Sequence, residues 1–437
     1  MIYLISWIVF TYILILYIYI YKHVIRKNGS FLFSKKKVRE TRLNVSLILM
    51  LSFYLYSISV PISRLFFSKP DESNDIFFLI SYTLAYLGLF FSLLFFMGFN
   101  DEVVDKNSKI VEVRNNRLFY FSILIFLVYI TFIKVETNFS LDIFFRPYST
   151  EGIEDSGGLT HLLPIFLISA LLYLNLLVLK ANNIWRLNKL FIRLITFLFV
   201  TYYLIRGGRN LILILFLPII LMVFRDKIVK TRYIFLTICI LYVFSMLMGA
   251  MRNFGIIYLN DFSIENYTFF DPLNQELGVG YSVISKYNEM PNSGYYFGKT
   301  YTYNIISNLV PSFVGLEKSP GPAIDFSMRY FEVSNVKDLK EGLGFSPVLE
   351  ALMNFSVFGV FFMFFIIGSG ISLFQQWIAK FSYFKALGAY LFLAPMVINF
   401  NRIDLATVVK MYLVLVFFFF ILDLLNRKSY NVYQVKP

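Results

Sequence analysis

The run Val348–Phe374, VLEALMNFSVFGVFFMFFIIGSGISLF, decides the fold, because it holds a single charge, Glu350. About 20 apolar residues cross a hydrocarbon core of about 30 Å, so this run reads as a membrane span. Backbone amides cannot stay unpaired in lipid, and the run is too long and too continuously apolar for a barrel strand, which leaves a helix. Ten further runs share its character: Ile2–Tyr21, Leu43–Phe66, Ile76–Phe99, Leu118–Ile133, Leu162–Leu179, Leu190–Ile205, Leu211–Phe224, Ile234–Met251, Ala386–Phe400 and Leu405–Leu425. Together they predict an all-α polytopic membrane protein of about eleven transmembrane helices, or twelve if one segment divides. Pro61, Pro164, Pro218 and Pro395 are expected to end or kink their helices, since each removes an amide donor.

Composition agrees with this reading. Of 437 residues, 58% are hydrophobic and only 15% charged, against about 25% charged in soluble domains. The net charge of +13 does not point to nucleic acid, because most basic residues sit in short loops where they set membrane orientation. The lone cysteine, Cys239, excludes an internal disulfide and a multi-cysteine metal site. Two histidines, His23 and His161, exclude a multi-histidine one. No Walker-type loop or GxSxG elbow is present. No cofactor is expected. The first 21 residues lack a basic leader and a small-residue cleavage site, so they read as a retained span.

Orientation follows from the basic residues. The loop Lys22–Arg42 carries eight of them against one acid, Glu40. Placing it in the cytoplasm assigns 24 Lys and Arg to cytoplasmic segments and 7 to the short outer loops. This predicts an outside N-terminus and a cytoplasmic tail, Arg427–Pro437. Residues 1–251 then form spans one to eight, 252–345 a large outer loop, and 346–437 the last three spans and the tail. The loop residues 252–344 hold ten acids, seven bases and 17 Phe and Tyr. Loops of such length are functional or disordered, and this one is rich enough in aromatics and helix-like stretches to predict a mostly helical cap.

Three clusters carry candidate chemistry. Arg206-Gly207-Gly208-Arg209-Asn210 separates two apolar runs that are short for a bilayer. Guanidinium groups at that depth are costly unless an anionic headgroup pairs with them, and the glycines would let the backbone turn tightly against a ligand. The plain alternative is a turn with two snorkelling arginines. Asn401-Arg402-Ile403-Asp404 follows a third short run and would place Arg402 at a similar level, unless Asp404 simply pairs with it. Gly342–Glu350 contains Ser346-Pro347, an N-cap followed by proline at the first helical position. Glu350 then lies in the first turn, on the same face as Asn354. It is either an acid favoured by the helix dipole or a general base at the membrane boundary. Arg252 and Arg329 are weaker candidates in the large loop.

In layout and in two motifs, Arg206–Asn210 and Gly342–Asn354, the chain resembles bacterial O-antigen polymerases of the Wzy type, within the polymerase and ligase superfamily. Related ligases use an outer-loop histidine, which this loop lacks. The resemblance implies a metal-independent glycosyltransferase with a GT-C-like fold in the inner (plasma) membrane. Its substrate would be an oligosaccharide repeat unit on undecaprenyl diphosphate, and its partners would include the lipid bilayer and a chain-length regulator protein. Arg206, Arg209 and Arg402 would neutralise the diphosphate, with Arg252, Arg329, Asn354, Gly207 and Gly208 beside the lipid and glycan. Glu350 would orient or deprotonate the acceptor hydroxyl. A ligase, or a non-enzymatic flippase or transporter, is the competing expectation.

Overall fold

The computed structural model describes residues 1–28, 40–41, 45–95, 115–137, 158–180, 184–205, 209–224, 229–230, 271–274, 276–290, 295–309, 321–334, 339, 343–379 and 384–426. Among them the α-helices run in chain order as α1 (Ile2–Asn28), α2 (Val45–Ser57), α3 (Ser59–Phe66), α4 (Glu72–Phe95), α5 (Asn115–Thr137), α6 (Gly158–Lys180) and α7 (Arg186–Ile205). They continue as α8 (Arg209–Phe224), α9 (Val279–Glu289), α10 (Tyr303–Leu309), α11 (Pro322–Tyr330), α12 (Pro347–Ala379), α13 (Phe384–Asn399) and α14 (Leu405–Asn426). Extended structure among the described residues is confined to Glu40–Thr41 and Val229–Lys230.

Among the described residues, eight helical segments are long and apolar enough to cross a membrane: those of α1, α2 with α3, α4, α5, α6, α7, α12 and α14. Two shorter apolar helices lie in α8 and α13. The expected span Ile234–Met251 lies outside the described residues. A polytopic helical membrane protein is therefore the architecture.

One expected span needs correction. The apolar run Leu190–Ile205 looked short for a bilayer, but α7 begins earlier and has 20 residues, about 30 Å at 1.5 Å per residue. Its start is held by Asn115, whose side-chain oxygen accepts the Trp185 amide at 2.9 Å and whose carbonyl accepts the Asn188 side-chain amide at 2.9 Å. A helix end fixed by such bonds need not stop where the apolar run stops. α8 and α13, with 16 residues each, stay short, at about 24 Å.

The prolines behave unequally. Pro61 removes the amide that would bond Ser57, and the helix divides there into α2 and α3. Pro164, Pro218 and Pro395 lie inside α6, α8 and α13, which continue through them. The clearest break has no proline. In α12, Phe355 (φ −140°, ψ 15°) and Ser356 (φ 61°, ψ −173°) leave helical geometry.

The chain divides into two compact units. The first comprises Met1–Val103, Glu265–Trp377 and Met396–Met411. Its core is aromatic: Phe53 of α2 stacks on Tyr82 at 5.3 Å and meets Phe364 of α12 at 5.2 Å. Small residues bring α4 and α12 together, since a Cβ on Gly88 would lie 2.4 Å from the Phe361 carbonyl and one on Gly368 would lie 2.0 Å from Ser92 Oγ. Close backbone approach of this kind is how helices associate where lipid removes the hydrophobic drive. The second unit comprises Val104–Ile264, Ile378–Pro395 and Tyr412–Pro437. There the Ser169 hydroxyl donates to the Leu415 carbonyl, Tyr412 to Ala389 and Asn175 to Thr196, so these polar side chains find partners within apolar helices.

Candidate functional site

α12 starts as its sequence dictates. Ser346 Oγ accepts the Val348 amide at 3.2 Å, the Ser346 carbonyl accepts the Glu350 amide at 2.9 Å, and Pro347 takes the first helical position. This sets Glu350 in the first turn with Asn354 one turn on, and both are fully buried. Glu350 Oε2 accepts the Leu405 amide, the first of α14, at 3.0 Å. Asp404 caps the same helix: its carboxylate accepts the Thr407 amide at 2.8 Å and the Thr407 hydroxyl at 2.9 Å. Two carboxylates thus meet the amide-rich, positive end of one helix. Glu350 Oε1 is buried and has no hydrogen-bond partner among the described residues. The Thr300 hydroxyl flanks the carboxylate.

A segment of the large loop, residues 295–302, closes over this side of α12. The break at Phe355 and Ser356 leaves carbonyls without their helical donors, and the Met353 carbonyl accepts the Tyr296 amide at 3.0 Å instead. Asn354 Oδ1 accepts the Gly298 amide at 2.9 Å, while Asn354 Nδ2 donates at 2.7 Å both to Thr300 Oγ1 and to the Glu350 carbonyl. Asn354 is the hub that joins the loop, the helix and Glu350. The Tyr301 ring stacks on Phe355 at 6.4 Å and 4°. Burial, with the adjacent Glu350 adding to it, pushes the Tyr301 phenol well above its ordinary pKa. Gly359 makes room for the displaced Phe355, because a Cβ there would lie 2.0 Å from Phe355 Cβ.

The other expected residues fall as follows. Arg402 lies half-buried in the turn before α14, its amide bonded to the Asn399 carbonyl at 2.9 Å, two residues from Asp404. Arg329 of α11 pairs with Asp325 at 3.2 Å and lies 4.5 Å over the Tyr296 ring, so it props the same loop segment. The structure therefore brings Glu350, Asn354, Arg402 and Arg329 into one unit. Arg206, Gly207, Gly208 and Arg252 lie outside the described residues. Arg209 begins α8, with its side chain outside them.

Sequence reasoning missed a second cluster. Arg64 at the end of α3 and Asp75 in the first turn of α4 form a nearly dry ion pair at 3.0 Å, with side chains 9% and 0% exposed. Arg64 Nη2 also donates to Tyr281 of α9 at 2.8 Å, and Tyr3 donates to Asp75 at 2.8 Å. Asn74 bonds Glu289 and accepts from Asn288, and Gly280 presses on the Tyr82 hydroxyl. These contacts seat α9, part of the expected outer loop, on α4. The available signal was two opposite charges flanking one short turn, which reads in sequence as ordinary loop charge.

What the fold and the site define is a multi-pass helical membrane protein with a buried carboxylate under a loop-derived cover. No family model, curated protein or solved structure matches the chain.

Proposed function

We propose that the protein joins oligosaccharide repeat units, carried on undecaprenyl diphosphate, into a surface polysaccharide such as O-antigen at the outer face of the inner membrane. One observation carries this reading: the buried Glu350, with one oxygen fixed by α14 and the other, beside Thr300, without a hydrogen-bond partner among the described residues, beneath residues 295–302. A carboxylate held in one orientation with a free oxygen is what a general base requires. In the proposed step the acceptor hydroxyl attacks the anomeric carbon of the growing chain. The new glycosidic bond forms as the bond to the diphosphate breaks, the proton passes to Glu350 Oε1, and undecaprenyl diphosphate leaves. Arg206, Arg209 and Arg402 would stabilise charge gathering on that leaving group, the kind of help worth several kcal/mol per well-placed donor. The same oxygen would serve a ligase, which differs in its acceptor.

The test uses Glu350→Gln. An amide oxygen can still accept the Leu405 amide, so this variant keeps the cap on α14 and loses only the base. The expected result is a well-folded protein whose cells carry single repeat units in place of a polymer ladder. A normal ladder from Glu350→Gln rules out the base role. In a strain deleted for the protein, unjoined units on the outer face support polymerisation, whereas units trapped in the cytoplasm point to a flippase.

A further inference from the structure

The break in α12 sets a depth. Residues 357–379 form a helix of about 34 Å at 1.5 Å per residue, which alone crosses a core of about 30 Å. Phe355 and Ser356 therefore fall in the N-terminal third of the apolar segment Pro347–Gln375, near the leaflet surface on that side. The loop segment bonded to this break turns apolar rings outward. Phe297 is 81% exposed and Tyr295 48%, and the two rings meet edge to face at 6.1 Å. Phe297 has φ 47°, a backbone conformation that a bulky residue adopts only under constraint. The hydrogen bonds of Tyr296 to Met353 and of Gly298 to Asn354 supply that constraint. The turn thus holds the ring out against its backbone preference.

The exposed pair adjoins a face already committed to lipid. Gly298 lies against the Phe355 ring, and just beyond it Phe358, Phe362 and Ile366 recur every four residues, 85%, 64% and 59% exposed. That spacing keeps them on one side of a membrane-crossing helix. Lys299, beside Phe297 and Gly298, is exposed, with its ammonium 5.9 Å from the Tyr303 ring.

We propose that residues 295–302 form an interfacial anchor: Tyr295 and Phe297 enter the leaflet at the N-terminal end of α12, and Lys299 meets the headgroup phosphates. Aromatic rings concentrate at that level of a bilayer, and a lysine stem can lie on apolar surface while its charge stays in water. The bilayer is the occupant because the patch continues a helix face that itself lies in hydrocarbon. The cover over Glu350 is then fastened on both sides, to α12 by hydrogen bonds and to the membrane by its rings. This inference stands apart from the polymerase reading.

The test uses the full chain in lipid nanodiscs, with Phe297→Trp added to the three native tryptophans. The expected difference spectrum against wild type is a blue-shifted band that is lost when the lipid carries bromine on its acyl chains near the ester end. An added band that bromolipid leaves intact and aqueous iodide quenches overturns the proposal. Phe297→Cys carrying a nitroxide gives an independent reading. Relaxation by dissolved oxygen should exceed relaxation by a water-soluble nickel chelate, and the reverse order refutes the anchor.

Discussion

Ser356→Gly tests the break in α12 by its sign. Ser356 sits at φ 61°, ψ −173°, a region essentially reserved for glycine, where another residue costs about 1–3 kcal/mol. Glycine removes that strain but loses about 0.5–1 kcal/mol through its freer unfolded chain. The net expectation is a stabilisation of about 0–2.5 kcal/mol. In an unbroken helix the same change destabilises by about 0.5 kcal/mol, so the two geometries predict opposite signs. Equilibrium unfolding of the purified protein in mixed micelles, with rising dodecyl sulfate, measures the difference. A shift to lower denaturant for Ser356→Gly refutes the break, and with it the reason why the Met353 carbonyl is open to Tyr296. Ser356→Ala is the control, because it keeps the strain and should lie close to wild type.

Further expectations rest on the same geometry. Gly359→Ala places a Cβ 2.0 Å from Phe355 Cβ, and overpacking of this kind costs about 1–3 kcal/mol; an unchanged unfolding midpoint would mean that Phe355 does not turn back onto the helix. Asn354→Leu strips the Gly298 amide and Thr300 hydroxyl of their partner, at about 1–3 kcal/mol per buried group, and should speed hydrogen exchange in residues 295–302 before exchange elsewhere in the chain. Asp75→Ala takes the carboxylate from the nearly dry Arg64 guanidinium, a loss of about 3–5 kcal/mol, and Arg64→Met with Asp75→Leu should recover part of it, less what Tyr281 and Tyr3 lose with their partners; a double variant no more stable than the single one refutes the coupling. Burial raises the Asp325 carboxyl above its ordinary range, against the pull of Arg329. The folded chain then binds that proton more tightly than the unfolded chain, so this contribution to stability is present below the ordinary carboxylate pKa and is lost as pH rises through the raised value. Thermal midpoints of wild type should show that decline across mildly acid pH, and Asp325→Asn should show less of it.

The spans were legible because lipid imposes a crude demand, a long run without charge, and the apolar segments of α1, α6, α12 and α14 answer it almost residue by residue, while α4 starts four residues early. The Ser346-Pro347 start of α12 was legible too, since capping is a local matter of three or four residues. The helix break was not. Phe355 and Ser356 carry no breaker signal, and the glycine that accommodates them comes later, at Gly359, where it looks like any small residue in a span. Of the site, Glu350 and Asn354 on one face could be read from spacing alone. Their partners could not. Gly298 and Thr300 lie more than fifty residues before Asn354 and Leu405 lies fifty-five after Glu350, separations at which sequence pattern holds no information about contact.

The bond from Leu405 to Glu350 has a bearing on how the protein is made. Glu350 leaves the ribosome well before Leu405, so for that interval a carboxylate enters the bilayer region without the helix end that later receives it. Only when α14, the last described helix, arrives do both needs close at once, the acid gaining a donor and the amide an acceptor. A chain truncated before residue 405 keeps every earlier span yet carries an uncompensated acid in its interior. Such fragments should be recognised and degraded by membrane quality control, so the arrival of α14 settles the charge that α12 brought in earlier.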